Sequence, residues 1–184
     1  MKILKMNLAN KLTMLRLLMV PVFIIVFNRY GISNAIPAII FAVTAFTDFL
    51  DGYVARKYKM ITTFGKFMDP LVDKVLTQAG YIVLTAAGLI PAWVVVVIIF
   101  RELLITGLRT IAASNNITIA ASVYGKVKTI TQFLAIIAYL LKGVLTWVPE
   151  IVFVILLYIS VFTTVISGLE YLYKNKEVLD LDNI

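Results

Sequence analysis

At 184 residues the chain has room for a single domain. With 61% hydrophobic residues and a mean hydropathy of +0.98, its composition excludes an ordinary water-soluble fold. It has no cysteine and no histidine, so disulfides, Zn/Cys sites and imidazole chemistry are excluded. The formal charge of +7 sits between and at the ends of apolar runs, which points to anionic lipid headgroups or phosphorylated substrates and away from nucleic acid.

A basic amphipathic stretch, Lys2 to Lys11, opens the chain and reads as a short helix lying on a membrane surface. A first spanning helix is expected over Leu12–Phe27; no small-x-small site follows it, so it is not read as a cleaved signal. A second is expected over Ala35–Ala55 and a third over Lys66–Ala87. The fourth should run from Pro91, a residue suited to a first helical turn, to Ser114. The fifth covers Val123–Leu145 and the sixth Val148–Tyr171, followed by a polar tail after Lys174. The connections carry turn chemistry: Asn28-Arg29-Tyr30-Gly31, Gly88-Leu89-Ile90-Pro91 and Ser114-Asn115-Asn116. Without internal repeats, residues 1–184 read as one all-α integral membrane domain, with six transmembrane helices and an N-terminal surface helix.

Basic residues set the orientation. One set of connections and helix ends holds Lys2, Lys5, Lys11, Arg16, Arg56, Lys57, Lys59, Lys66, Lys74, Arg101, Arg109, Lys126, Lys128, Lys174 and Lys176; the other holds Arg29 and Lys142. By the positive-inside rule both termini face the cytoplasm, in the inner (cytoplasmic) membrane of the cell.

Two predicted spans carry acids. Asp48 and Asp51 lie near the cytoplasmic end of the second helix, Asp69 and Asp73 near the start of the third. An acid at a helix centre costs about 2.5–3.5 kcal/mol on the insertion scale, less off-centre, and four together need compensation. The i,i+3 and i,i+4 spacings put each pair on one helix face. Asp51 precedes Arg56 by five residues and Asp69 follows Gly65 by four; Asp48 and Asp73 are each eight away. Antiparallel neighbours would hold the pairs at matched depths, roughly 6–12 Å below the interface. Such acids require cations, and an all-oxygen ligand set suits Mg²⁺ or Mn²⁺. Salt bridges from Asp51 or Asp69 to Arg56, Lys66 or Lys74 are the purely structural alternative. Gly52, Ala55 and Gly65 continue the same stripes, fitting either close helix packing or close approach of a ligand.

The run Asp48-Phe-Leu-Asp51-Gly52-Tyr-Val-Ala55-Arg56, eight residues, then Gly65-Lys-Phe-Met-Asp69-Pro-Leu-Val-Asp73, resembles the signature of the CDP-alcohol phosphatidyltransferases. Every fixed position of D-x2-D-G-x2-A-R-x8-G-x3-D-x3-D is present, and the six-helix plan extends the resemblance over essentially the whole chain. The resemblance implies that Asp48, Asp51 and Asp69 are metal ligands and that Asp73 is a further ligand or the general base. It implies that Gly52, Ala55 and Arg56, with Asp48, Asp51, Gly65 and Asp69, surround the cytidine diphosphate moiety, and that the protein is a homodimer. Three more stretches resemble the branch of that family whose acceptor is glycerol 3-phosphate: Asn10-Lys-Leu-Thr13-Met-Leu-Arg16, Arg101-Glu102-Leu-Leu-Ile-Thr-Gly-Leu-Arg109 and Gly125-Lys126-Val-Lys128-Thr129. Asn10, Thr13 and Arg16 then become substrate-contacting candidates; Ala9 departs from the Pro common before that Asn.

The expected reaction is a direct displacement. Two metal ions would neutralise the diphosphate of CDP-diacylglycerol, and Asp73 would take the acceptor's hydroxyl proton as CMP leaves. The acceptor is read from Arg101, Arg109, Lys126 and Lys128. Arg101 and Arg109 lie eight residues apart, about 80° of helix rotation, so both can face one cavity, and a phosphorylated acceptor such as glycerol 3-phosphate suits them. The alternative has Arg101 paired with Glu102 or an Asp, and the two lysines acting as interfacial anchors; Glu170 is read as structural. Competing functions are a same-family transferase using inositol phosphate, serine or phosphatidylglycerol, and a divalent-metal transporter. A transporter would not need the Gly52, Ala55 and Arg56 pattern.

Overall fold

A computed structural model describes residues 8–57, 63–114, 117, 119 and 122–176, and side chains within these from residue 13 to 47 and from 74 onward. The described residues form helices and no strands: α1 (Leu8–Tyr30), α2 (Ile36–Lys57), α3 (Thr63–Ala86), α4 (Ala92–Ser114), α5 (Val123–Leu140) and α6 (Glu150–Lys174). These match the expected elements with two differences. Leu8 to Lys11 belong to the first turn of α1 rather than to a separate surface helix, whose remaining residues 1–7 lie outside the described part. The fifth helix stops at Leu140 instead of Leu145. Leu141 N–H still bonds back to Ile137, but Val144 and Leu145 then fold onto the Leu141 carbonyl as a turn.

That turn lies beside a close crossing at the outer end of the bundle, the end that carries the α1–α2, α3–α4 and α5–α6 connections. Gly143 lies so near the α1–α2 connection that a Cβ on it would sit 2.5 Å from the Ile32 carbonyl oxygen. The other outer turns end helices with left-handed glycines. Gly31 has φ of 59° and donates to the Phe27 carbonyl; Gly88 has φ of 70°. There Leu89 N–H reaches Leu84 O and Gly88 N–H reaches Thr85 O, a Schellman closure of α3.

All six helices feed one core. Phe23 and Phe27 come from α1, Phe41 from α2, Leu76, Tyr81 and Leu84 from α3, Ile98 from α4, Ile136 and Leu140 from α5, and Phe153 and Leu157 from α6. Phe41 sits between Phe23 and Phe133, with ring centroids 5.5 and 5.8 Å away. Gly80 makes the convergence of α2, α3 and α5 possible, since a Cβ there would meet Phe41 and Ile136 at 3.0 Å. Buried hydroxyls and amides cross-link the interior: Tyr81 donates to Ser160 (3.0 Å) and Gln132 to Thr164 (2.9 Å). Burying such groups is tolerable because each finds a partner.

The outside is apolar too. Leu18, Ile25, Val43, Phe46, Val96, Phe100, Leu103, Ile151, Phe162 and Leu169 are all exposed. Apolar side chains on both faces of helix after helix are what a lipid-surrounded bundle requires. Among the described residues two segments, Thr13–Tyr30 and Glu150–Lys174, are long and apolar enough to cross a membrane. Exposed Tyr30, Trp93 and Trp147 stand at the outer end, and exposed Tyr124 and Tyr173 at the other, as aromatic belts do.

Candidate active site

The acids come first. In α2, Asp48 and Asp51 lie nine and six residues before the helix end at Lys57; in α3, Asp69 and Asp73 lie six and ten residues after its start at Thr63. The two helices touch, and only residues 58–62 join them, so both acid pairs belong to the same end of the bundle. The side chains of Asp48, Asp51, Asp69 and Asp73, and those of Asn10, Ala55 and Arg56, lie outside the described part, as do the side-chain surroundings of Gly52 and Gly65.

Next to that end α3, α4, α5 and α6 enclose a cavity of about 400 Å³. Lys74 of α3, one residue after Asp73, lines it, so the cavity adjoins the acid-bearing helix. Arg101 and Arg109 enter from α4, and Lys126 and Lys128 from α5. The four basic residues expected to bind the acceptor therefore meet around one space. Their environments differ. Lys128 is buried and ion-paired to the buried Glu102, whose Oε1 also receives Arg101 Nη1 at 3.3 Å. Lys128 is thus an interior residue and no interfacial anchor, whereas Lys126 stays exposed.

Helix α6 supplies the back wall. Arg109 Nε donates to the Tyr171 hydroxyl at 2.9 Å while its guanidinium carbon lies 5.4 Å from the Tyr171 ring centroid, which fixes the fork's direction. One turn earlier, Gly168 lets the Arg101 stem pass. A Cβ there would stand 3.1 Å from Arg101 Cγ. Arg101 Nε is buried without a hydrogen-bond partner among the described residues. Lys74 is oriented by the Thr106 hydroxyl, which itself bonds the Glu102 carbonyl. Ser122 caps α5, its hydroxyl accepting from Gly125 N–H at 3.0 Å. Glu170 pairs with Lys174 at 2.6 Å along α6.

Sequence reading missed Lys74 and Tyr171 as wall residues and Gly168 as the packing position beneath Arg101. Lys74 had a signal in its adjacency to Asp73; nothing in the sequence of α6 points to α4. Thr13 and Arg16 of α1 are buried, and are not among the described residues lining the cavity.

Two acid-bearing helices thus meet at one end of a helical bundle, beside a cavity rich in cations. Residues 6–166 match the family model for CDP-alcohol phosphatidyltransferase, and the chain belongs to that family. It is 41% identical to the CDP-diacylglycerol–glycerol-3-phosphate 3-phosphatidyltransferase of Bacillus subtilis, over 96% of this chain and 99% of the relative. The Haemophilus influenzae protein of the same name is 38% identical over 98% of both chains. A probable phosphatidylglycerophosphate synthase of Mycobacterium tuberculosis is 39% identical over 91% of this chain and 81% of its own.

Proposed function

We propose that this chain transfers the phosphatidyl group of CDP-diacylglycerol to glycerol 3-phosphate, giving phosphatidylglycerophosphate and CMP in phospholipid biosynthesis. The observation that carries this reading is the cavity where Arg101, Arg109, Lys126 and Lys128 converge beside the helix bearing Asp69 and Asp73. Full-length similarity to relatives named for that reaction supports it.

The residues divide the work. Arg109, pre-aimed by Tyr171, and Lys126 at the exposed mouth receive the acceptor's phosphate, for which a planar guanidinium fork is suited. Its far hydroxyl then points toward α3, where Asp73 accepts the proton. The hydroxyl oxygen forms a bond to the phosphatidyl phosphorus in line with the departing oxygen of CMP, whose bond to that phosphorus breaks. Gly52, Ala55, Arg56 and Gly65 border the cytidine diphosphate. The donor set on α2 and α3 is all carboxylate in a chain without His or Cys, which fits hard divalent cations, Mg²⁺ or Mn²⁺. Asp48, Asp51, Asp69 and Asp73 would hold two such ions; when bound they neutralise the diphosphate and the charge growing on the leaving oxygen. All six helices span the bilayer, with both termini and the site at the cytoplasmic face among anionic lipids, and the protein acts as a homodimer.

The test is CMP release by purified protein in mixed micelles with CDP-diacylglycerol, Mg²⁺ or Mn²⁺ and a panel of acceptors. Glycerol 3-phosphate should support turnover well above inositol phosphate, serine or phosphatidylglycerol, and EDTA should abolish it until either cation is restored. Preference for another acceptor, or turnover indifferent to chelation, rejects the corresponding part.

A further inference from the structure

Among the described residues Arg16 is the most deeply buried charged side chain, 2% exposed, and it does not line the cavity. Its guanidinium is always ionised, and such a group held out of water needs a carboxylate or comparable acceptors beside it. The described carboxylates are engaged elsewhere: Glu102 with Lys128, Glu170 with Lys174 and, at the outer end, Glu150 with Lys142. Helix α1 packs against α2 and α3, which carry the four aspartates. The register of that packing is fixed at one level of the core, where Phe23 of α1 and Gly80 of α3 both meet Phe41 of α2. The Phe23 and Phe41 ring centroids are 5.5 Å apart, and a Cβ on Gly80 would stand 3.0 Å from the Phe41 ring. Helices α1 and α3 run toward the outer end and α2 runs away from it. Seven residues from each of these three positions, toward the acid-bearing end, stand Arg16, Asp48 and Asp73. Seven residues make two turns, about 10 Å, and return to within about 20° of the same face. The residues passed on the way, Val20, Thr44 and Leu76, are buried, so the three inward stripes continue without a break. Arg16 therefore shares one level, on facing stripes, with the two deeper acids; Asp51 and Asp69 lie about one turn nearer the helix ends.

We propose that Arg16 is the built-in counter-cation of Asp48 and Asp73, a positioning residue that holds both acids in register before any divalent ion arrives. Two carboxylates brought to one level repel each other, and a fixed guanidinium between their helices offsets part of that repulsion. The proposal concerns the acid site of the proposed reaction and does not depend on which acceptor is used.

The test is a thermal-unfolding cycle on the full-length protein in detergent, with EDTA and no substrate. Arg16→Met should lower the midpoint by at least about 6 °C, as expected for buried acids left without their partner. In that background Asp48→Asn or Asp73→Asn should restore at least about half of the loss, while the same changes in the parent protein give no gain of that size. Asp51→Asn and Asp69→Asn should restore clearly less. If Arg16→Met alone does not fold, adding Asp48→Asn or Asp73→Asn should return a folded protein. No recovery from either, or equal recovery from all four acids, overturns the assignment. So does an unchanged midpoint; if a substrate KM rises with it, Arg16 is a substrate contact instead. Absence of turnover with glycerol 3-phosphate would reject the function reading separately, and the unfolding cycle would still decide the role of Arg16.

Discussion

Asp73 and Lys74 are neighbours in sequence, yet they divide between two tasks. Lys74 faces the cavity wall and holds Thr106, while Asp73 continues the i,i+4 acid stripe begun at Asp69. Asp73→Asn should leave the fold intact and lower kcat by about two to four orders of magnitude, the usual range for a lost general base. Circular dichroism and CMP release together check this, and near-normal turnover removes Asp73 from that role. Arg109→Ala should raise the acceptor KM more than that for CDP-diacylglycerol. Tyr171→Phe keeps the ring under the guanidinium but deletes its 2.9 Å hydrogen bond, so a smaller rise of about three- to tenfold is expected. Equal effects on both substrates would move Arg109 out of the acceptor pocket.

Glycines decide how closely the helices meet. Gly80 lets α3 settle between Phe41 of α2 and Ile136 of α5, and Gly168 lets α6 take the Arg101 stem from α4. At the outer end Gly143 faces a backbone carbonyl, which cannot rotate aside as a side chain can. Gly143→Val should therefore destabilise by about 1–3 kcal/mol, read as a lowered midpoint in detergent-solubilised thermal unfolding. Turnover per folded molecule should be unaffected, because this crossing lies at the end of the bundle away from the cavity. Gly168→Val should do the reverse, shifting Arg101 and raising the acceptor KM with a smaller change in midpoint. Comparing the two separates a packing glycine from one that shapes the site.

At the scale of the molecule, the bundle has apolar residues inside and out, with the acid pairs and the cation-lined cavity at one end. Most basic residues accumulate at that end, while the outer end has Arg29 and the Lys142–Glu150 pair. A chain without cysteine is ready for labelling: Lys176→Cys and Ser33→Cys should react with a membrane-impermeant maleimide from opposite sides of sealed vesicles. Labelling of both from one side would overturn the six-span topology.

Much was legible in sequence because the relevant physics is local. Helix starts and stops followed from Pro91, Gly31 and Gly88, and the acids' spacing named a family later matched over residues 6–166. The absence of His and Cys fixed the hard-oxygen character of any metal site. What sequence alone left open was which helix faces mate. In a water-soluble bundle a polar stripe marks the outside, but here lipid and core are equally apolar, so periodicity does not report orientation. Lys128 finds Glu102 across 26 residues and Arg109 finds Tyr171 across 62. Those pairings exist because α4, α5 and α6 close on one another with glycine at the crossing, and only the tertiary packing of the bundle decides that.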